Sequence, residues 1–278
     1  MNIATIIGIV MGIGLVSGAI YHEAGTFIYF INVSGLVIVV GGTAAATFVS
    51  FPIKDVFDVM RIGFIVLKRE PPQLQEYLGQ ILDLVRIARR KGNLGLEKEV
   101  PNISNLFLKD AVQMLADGYS TQEITEILDE RILYKQEREF SEAEVFRTMA
   151  KFAPAFGMIG TLIGLILLMV HMGSSGLDSL GTGMAVALVT TFYGVLFSNL
   201  IFKPFAVKLE RRTKEQSIMM RMVKESMIMI AEQWHPIKVE DYLNSFLKPG
   251  ERSIPDRKKL FGGKPKRNIS PVIDDVNG

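Results

Sequence analysis

Charged residues are missing from four long stretches of this chain and crowd the remainder. Residues 2–21, 27–51, 152–172 and 181–202 contain no Asp, Glu, Lys or Arg. Each is close to the ~20 residues that a helix needs to cross the hydrocarbon layer, so four membrane spans are predicted. They fall into two hairpins, the first closed by a very short turn over 22–26 and the second by 173–180. The polar insert between the hairpins is helical by its pattern. Leu74, Leu78, Ile81, Leu82 and Val85 recur at helical spacing, as do Ile124, Ile127, Leu128 and Ile132, and no strand alternation is present. Ser120 with Glu123 forms a capping box, which starts a helix that runs through Ile132, Phe140 and Phe146 toward the third span, a mechanical link between cytoplasm and membrane. After the fourth span Lys203-Pro204 marks the membrane exit. An amphipathic helix carrying Met219, Met222, Met227 and Met229 follows, and methionines of this kind fill irregular core gaps.

From Pro249 onward, segments such as Pro255-Asp256-Arg257-Lys258-Lys259 and Gly262-Gly263-Lys264-Pro265-Lys266-Arg267 cannot build a core, and disorder is expected there. The fold class is therefore all-α. A transmembrane hairpin spans 1–51 and a cytoplasmic helical insert 52–151. A second hairpin spans 152–203, a cytoplasmic helical region 204–248, and a basic tail 249–278.

Charge placement orients this arrangement. The net charge is only +2 and the mean hydropathy +0.28, but all 31 Lys and Arg lie between Lys54 and Lys151 or between Lys203 and Arg267. The two turns hold only Glu23 and Asp178 as charges. By the positive-inside rule the long segments and both termini are cytoplasmic and the turns face out. No cationic region precedes the first apolar run and no clear cleavage site follows it, so residues 2–21 are expected to be a retained span. The absence of cysteine excludes disulfides, thiolate catalysis and sulfur metal sites. His22, His171 and His235 stand apart without partners at ligand spacing, so no metal site is expected. No nucleophile, paired base or metal cluster points to an enzyme, and nothing points to nucleic acid.

The third span carries the most distinctive pattern. Gly157, Gly160, Thr161 and Gly164 are spaced so as to lay a stripe of small residues with one hydroxyl along a single helix face. On the fourth span, Gly183, Ala187, Thr190, Thr191, Gly194 and Ser198 share a face in the same way. Such stripes, like the Gly8 to Gly12, Gly14 to Gly18 and Gly160 to Gly164 pairs, serve ordinary helix packing in many membrane proteins. They also place hydroxyls where an ion could pass. Apart from His171 near the outer edge, no span contains an acid or a base. A chain that moves cations across these spans must therefore take its titratable carboxylate from a partner helix.

With two spans, a helical insert, two spans and a charged tail in that order, the chain resembles the MotA/PomA family of flagellar stator subunits over residues 1 to about 248. Several separated signatures carry the resemblance. They are Val39-Val40-Gly41-Gly42, Ala88-Arg89-Arg90-Lys91-Gly92 with Leu96-Glu97, the run from Ala153 to Thr161, and Thr190-Thr191-Phe192-Tyr193-Gly194 followed by Pro204. The resemblance implies a torque generator of the bacterial inner membrane without a cofactor. Five copies of the chain surround two copies of a MotB/PomB-like single-span partner whose aspartate accepts the passing ion. It assigns Arg89, Arg90 and Glu97 to contact with the rotor protein FliG, and Pro154 and Pro204 to a hinge that links ion occupancy to movement of the insert. Thr161, Thr190 and Thr191 fall on the ion path, and Gly157, Gly160, Gly164 and Gly194 on the packing seams.

In sodium-type members that this chain resembles, threonines stand at the positions of Thr161 and Thr191, whereas proton-type relatives often carry alanine at the former. A sodium ion needs oxygen ligands in place of lost water and a proton does not, so the hydroxyls favour sodium over proton transport. Related TolQ and ExbB proteins also carry a threonine in this setting, and some relatives have an acidic residue where this chain has Lys151. Two alternatives are a TolQ/ExbB-like proton-driven energiser of envelope machinery and a structural membrane scaffold. Four spans and the Arg89 to Glu97 pattern argue against the first. The second would tolerate loss of the threonines.

Overall fold

The computed structural model describes residues 3–68, 74–171 and 177–252, and among them every regular element is helical. Among the described residues, four helices are long and apolar enough to cross a membrane. The predicted tail falls largely outside the described residues, as do residues 173–176 of the predicted 173–180 turn and the side chain of His171, while 177–180 already belong to a helix.

The chain forms two compact units, Met1–Gln73 with Thr125–Lys224 and Leu74–Ile124 with Glu225–Gly278. In the first, α1 (Ile3–Ala24) leads through a turn at Gly25, where φ is +65°, to a single 3-10 turn at Ile28–Phe30. The second span is apolar from residue 27, but its helix begins only at α2 (Val33–Leu36). Asn32 sets that start, because its Oδ1 accepts the Gly35 N–H at 2.7 Å and caps the helix. A π-helical turn at Val37–Gly41 and α3 (Gly42–Ser50) complete the span. Pro52 then ends the extended step, and α4 (Ile53–Lys68) follows.

The third span is the apolar end of one long helix, α8 (Thr121–His171), as the capping box predicts. The Ser120 hydroxyl accepts the Glu123 N–H at 3.3 Å, and the Ser120 N–H reaches back to Glu123 Oε2 at 2.8 Å. These bonds to Ser120 hold the Glu123 carboxyl below its usual range. The fourth span is α9 (Leu177–Phe197), a π-helical turn at Ser198–Phe202, and then α10 (Lys203–Ala231).

The core of this unit below the apolar spans is built where α4, α8 and α10 meet. Val59, Ala143, Phe146, Met149, Ala206 and Leu209 are buried together there, with Phe51, Phe202 and Phe205 packed against them. Gly63 permits the meeting, since a Cβ there would lie 2.9 Å from the Phe146 ring. Ion pairs Arg147–Glu210 and Lys224–Asp129 (2.8 Å) tie α8 to α10 at the rim. Lys151 pairs with Glu144 at 3.6 Å on its own helix, which gives that cation a partner outside the apolar span.

Glu142 of α8 is pushed above the usual carboxylate range, first by burial and then by Glu139 beside it, against the pull of Arg138 and Arg212. The unfolded chain thus gives up this proton at lower pH than the folded one does. Stability is therefore highest below the unfolded value of 4.5 and is lost as pH rises through the folded value. Glu142→Gln should raise the melting temperature at pH 7, and the gain should vanish below pH 4.5 in a thermal-melt series across that range.

The second unit is a small helical cluster. Here α5 (Leu74–Lys91), α6 (Asn93–Glu99), α7 (Leu106–Ala116) and α11 (Pro236–Leu243) bury Leu78, Ile81, Leu96, Leu108, Val112 and Leu243. Asn105 caps α7 by accepting the Leu108 N–H at 2.9 Å and donates to the Tyr77 hydroxyl at 2.8 Å. The predicted methionines are buried in α10: Met219 and Met222 in the first unit, Met227 and Met229 in the second.

Candidate functional site

Helices α8 and α9 run antiparallel with their backbones nearly touching, and the small residues picked out in the sequence form the seam. A Cβ on Gly157 would lie 3.0 Å from Thr190 O, and one on Gly160 would lie 2.5 Å from Thr190 Cβ. At Gly164 it would meet Ala187 Cβ and N and Gly183 O, all at 2.8 Å, and at Gly194 it would meet Ala153 O at 2.5 Å. The two stripes therefore pack against each other within one chain. Nothing is left of the glycine face of α8 to receive another helix at these positions. Such close approach supplies the dispersion contacts that hold helices together in lipid, where apolar side chains gain little from leaving the solvent.

The seam separates the three threonines. Thr190 is 0% exposed, and its hydroxyl donates to the backbone at Ala187 O (2.8 Å) and Val186 O (3.0 Å) while Gly160 covers it. Thr161 and Thr191 flank the seam and are only partly covered. Each spends its proton on a carbonyl: Thr161 on Met158 O at 2.6 Å, and Thr191 on Gly157 O of the facing helix at 3.4 Å. A hydroxyl that donates to a carbonyl still has lone pairs to offer, so Thr161 and Thr191 present oxygen ligands and no titratable group. The described parts of the third and fourth spans, 152–171 and 181–202, contain no carboxylate.

Both prolines interrupt the donor ladder of a long helix. Pro154 is inside α8, and Pro204 follows the π-helical turn at Ser198–Phe202 directly. In that turn the Lys203 N–H bonds the Ser198 carbonyl, five residues back. The extra residue shifts the register just before a position that has no N–H to give.

Arg89 and Arg90 end α5, and Glu97 lies on α6; all three are exposed. Gly92 joins the two helices at φ +64°, ψ −160°, a conformation that side chains rarely adopt, while its N–H bonds Ala88 O at 2.8 Å. The turn brings both arginines and the glutamate into one short surface segment of the second unit.

Sequence reasoning missed several groups around the spans. The Tyr193 hydroxyl donates to Phe30 O and accepts the Asn32 N–H at 3.0 Å, so α9 pins the turn that opens the second span. Gly35 follows this turn and lies against Thr190, 2.9 Å from where its Cβ would be. The ring of Phe156 covers Gly42 and leaves no room for a Cβ there. On α3, Thr47 donates to Thr43 O at 2.7 Å, whereas the Thr43 hydroxyl, 1% exposed, has no hydrogen-bond partner among the described residues. Ser198 donates to Ala150 O at 2.6 Å and is wholly buried. All of these join residues far apart in sequence or small polar groups inside apolar runs, and a hydropathy pattern carries no signal for either. The Val39 to Gly42, Ala153 to Thr161 and Thr190 to Gly194 signatures and the small-residue face that includes Ser198 touched some of these residues, but none of them revealed the partners.

The chain's likeness to known proteins extends over nearly its whole length. The profile of the MotA/TolQ/ExbB proton channel family matches residues 99–222. Chemotaxis protein PomA of Vibrio alginolyticus is 30% identical over 91% of this chain and 98% of its own length. Motility protein A of Aquifex aeolicus is 34% identical over 80% of this chain and 87% of its own. Among solved structures, a chain of MotAB from C. jejuni superposes with a TM-score of 0.84 at 28% identity, covering 90% of this chain and 97% of that one. A chain of the flagellar MotAB stator complex from Bacillus subtilis superposes with a TM-score of 0.83 at 27% identity, covering 90% and 98%.

Proposed function

The chain belongs to the MotA/TolQ/ExbB proton channel family, and from that premise we propose that it is the membrane subunit of a flagellar motor stator. With a MotB/PomB-like single-span partner, it couples inward cation flow to torque on the rotor protein FliG. The likeness to MotAB chains over nine-tenths of its length carries this reading. Its place is the bacterial inner membrane, and its assembly is an oligomer around the partner helices, for which the resemblance implies five copies around two. The family is one of ion channels, and the work it does is conformational. Each elementary charge that moves inward releases roughly 2.3 kcal/mol per 100 mV, so a step that uses one or two ions has a few kcal/mol to spend on moving the insert.

Within this reading the site residues divide by environment. Thr161 and Thr191, partly covered and with lone pairs available, are the ion-path hydroxyls. Thr190, sealed under Gly160, belongs with Gly157, Gly160, Gly164 and Gly194 in the packing seam. Pro154 and Pro204 are the hinge positions, and Arg89, Arg90 and Glu97 face the rotor. The transported ion is sodium rather than the proton, because two oxygen ligands without a titratable group suit a cation that must replace lost water. A TolQ/ExbB-like energiser is the second reading, since the family profile includes those proteins. Coverage of 87% to 98% of the length of the MotA and PomA relatives favours the stator.

The test is the swimming speed of a stator-deleted host that expresses this chain with its partner, as external sodium is varied at constant pH and ionic strength. Speed that rises and saturates with sodium is expected, with Thr191→Ala shifting the half-saturating concentration upward. Motility indifferent to sodium would make the stator proton-driven, and Thr161 and Thr191 would join the packing residues. An assembled complex without motility would favour the energiser.

A further inference from the structure

We infer that Ser198 is a positioning residue for the α8 hinge, because it supplies the hydrogen bond that Pro154 removes. In an α-helix the carbonyl of residue 150 takes its bond from the N–H of residue 154. Pro154 has no N–H, so the Ala150 carbonyl is left without its helical donor at a buried position just before the apolar run, where an unmet acceptor is costly. The Ser198 hydroxyl comes across from the facing helix and donates to that oxygen at 2.6 Å. Both sides of the bond are sealed: Ser198 is 0% exposed and Ala150 is 3% exposed.

The antiparallel seam puts the hydroxyl in place. Gly194 lies against Ala153 and Pro154, with its virtual Cβ 2.5 Å from Ala153 O and 3.1 Å from Pro154 Cα. One turn further along the fourth span is Ser198, and one turn back along α8 is Ala150. Any side chain at Gly194 would push the helices apart and take the hydroxyl out of reach.

Ser198 also holds the second irregularity. It is the first residue of the π-helical turn that precedes Pro204, and its carbonyl accepts the Lys203 N–H that closes the turn. One residue thus bonds the gap left by Pro154 through its side chain and the register step before Pro204 through its backbone. The two proline positions are thereby joined, and a change of bend at one alters the donor at the other. The link to torque rests on the stator reading, whereas the bond itself does not.

A double-mutant cycle on the purified complex with its partner tests the bond. Pro154→Ala restores an N–H to the Ala150 carbonyl. Ser198→Ala should lower the folding equilibrium constant about five- to tenfold when Pro154 is present, the cost of a buried acceptor left unmet. It should change that constant less than about twofold in the Pro154→Ala background, where the acceptor is satisfied. An equal loss in both backgrounds, or none in either, would overturn the assignment.

Swimming tests the positioning role. Ser198→Ala should lower maximal speed while the cation concentration for half-maximal speed stays the same, and Ser198→Thr, which keeps the hydroxyl, should restore the speed. Normal speed in Ser198→Ala despite a coupled cycle would reduce Ser198 to a structural residue and overturn that role. A host in which even the unaltered chain gives no motility would defeat the stator reading instead, and the cycle would still decide the bond.

Discussion

Gly194→Val is expected to abolish motility and to prevent recovery of a folded complex from the membrane. The new Cβ would lie 2.5 Å from Ala153 O and 3.1 Å from Pro154 Cα, and neither obstacle is a side chain that can rotate away. The two spans would have to separate, and they would lose the Gly157, Gly160 and Gly164 contacts with α9 together with the Ser198 bond to Ala150. Overpacking a tight core commonly costs about 1–3 kcal/mol, and here it falls on a seam with backbone on both sides, where relief means losing the interface. Gly14→Val is the control, because a Cβ there meets nothing within 4 Å in this chain. Yield of monodisperse complex and the midpoint of its thermal unfolding measure the difference. A Gly194→Val complex recovered at the control's yield and midpoint would mean that the seam is not what holds the third and fourth spans together.

That prediction shows which part of the architecture the amino-acid pattern reveals and which it withholds. Membrane spans are legible because the cost of a charge in hydrocarbon leaves a long apolar run with no Asp, Glu, Lys or Arg, and the capping box at Ser120 marks the start of α8 by a local bond the residues themselves announce. The small-residue faces were legible as faces, since helical periodicity alone places Gly157, Gly160 and Gly164 together. Their occupant was not legible. A glycine stripe is equally suited to a partner helix and to a neighbour in the same chain, and only the register of α8 on α9 decides between them.

The same register parts Thr190 from Thr161 and Thr191, although the three looked alike as hydroxyls in apolar spans. The helix start of the second span was hidden for a related reason. The apolar run includes Phe27 to Ile31, and hydropathy cannot see that Asn32 caps the helix or that a tyrosine hydroxyl from α9 occupies the backbone before it. Ser198 is the sharpest case. Its place on the small-residue face of the fourth span is legible but its partner is not, and its role follows from a missing N–H at Pro154, 44 residues earlier in the chain.

Reversing the charges on the exposed segment around Gly92 should stop the motor while leaving the membrane assembly intact. Arg89 and Glu97 are exposed on α5 and α6, so Arg89→Glu with Glu97→Lys removes no buried contact and should leave complex yield and melting unchanged. Exposed charges of this kind add little to stability, but across an interface they set approach and register, and like charges brought together there cost several kcal/mol. Swimming should therefore be lost or nearly lost in the double reversal, while cation conduction through the complex in vesicles is retained. Because solvent-exposed charges are screened over about 8 Å at physiological ionic strength, the two single reversals should show a partial loss that varies with ionic strength. Restoration of swimming by the opposite reversal on the rotor protein would identify the contact as electrostatic. Motility unchanged in the double reversal would remove Arg89 and Glu97 from the rotor interface. The contact surface would then have to be sought elsewhere on the second unit, where Leu94 and Leu106 are the exposed apolar side chains closest in sequence.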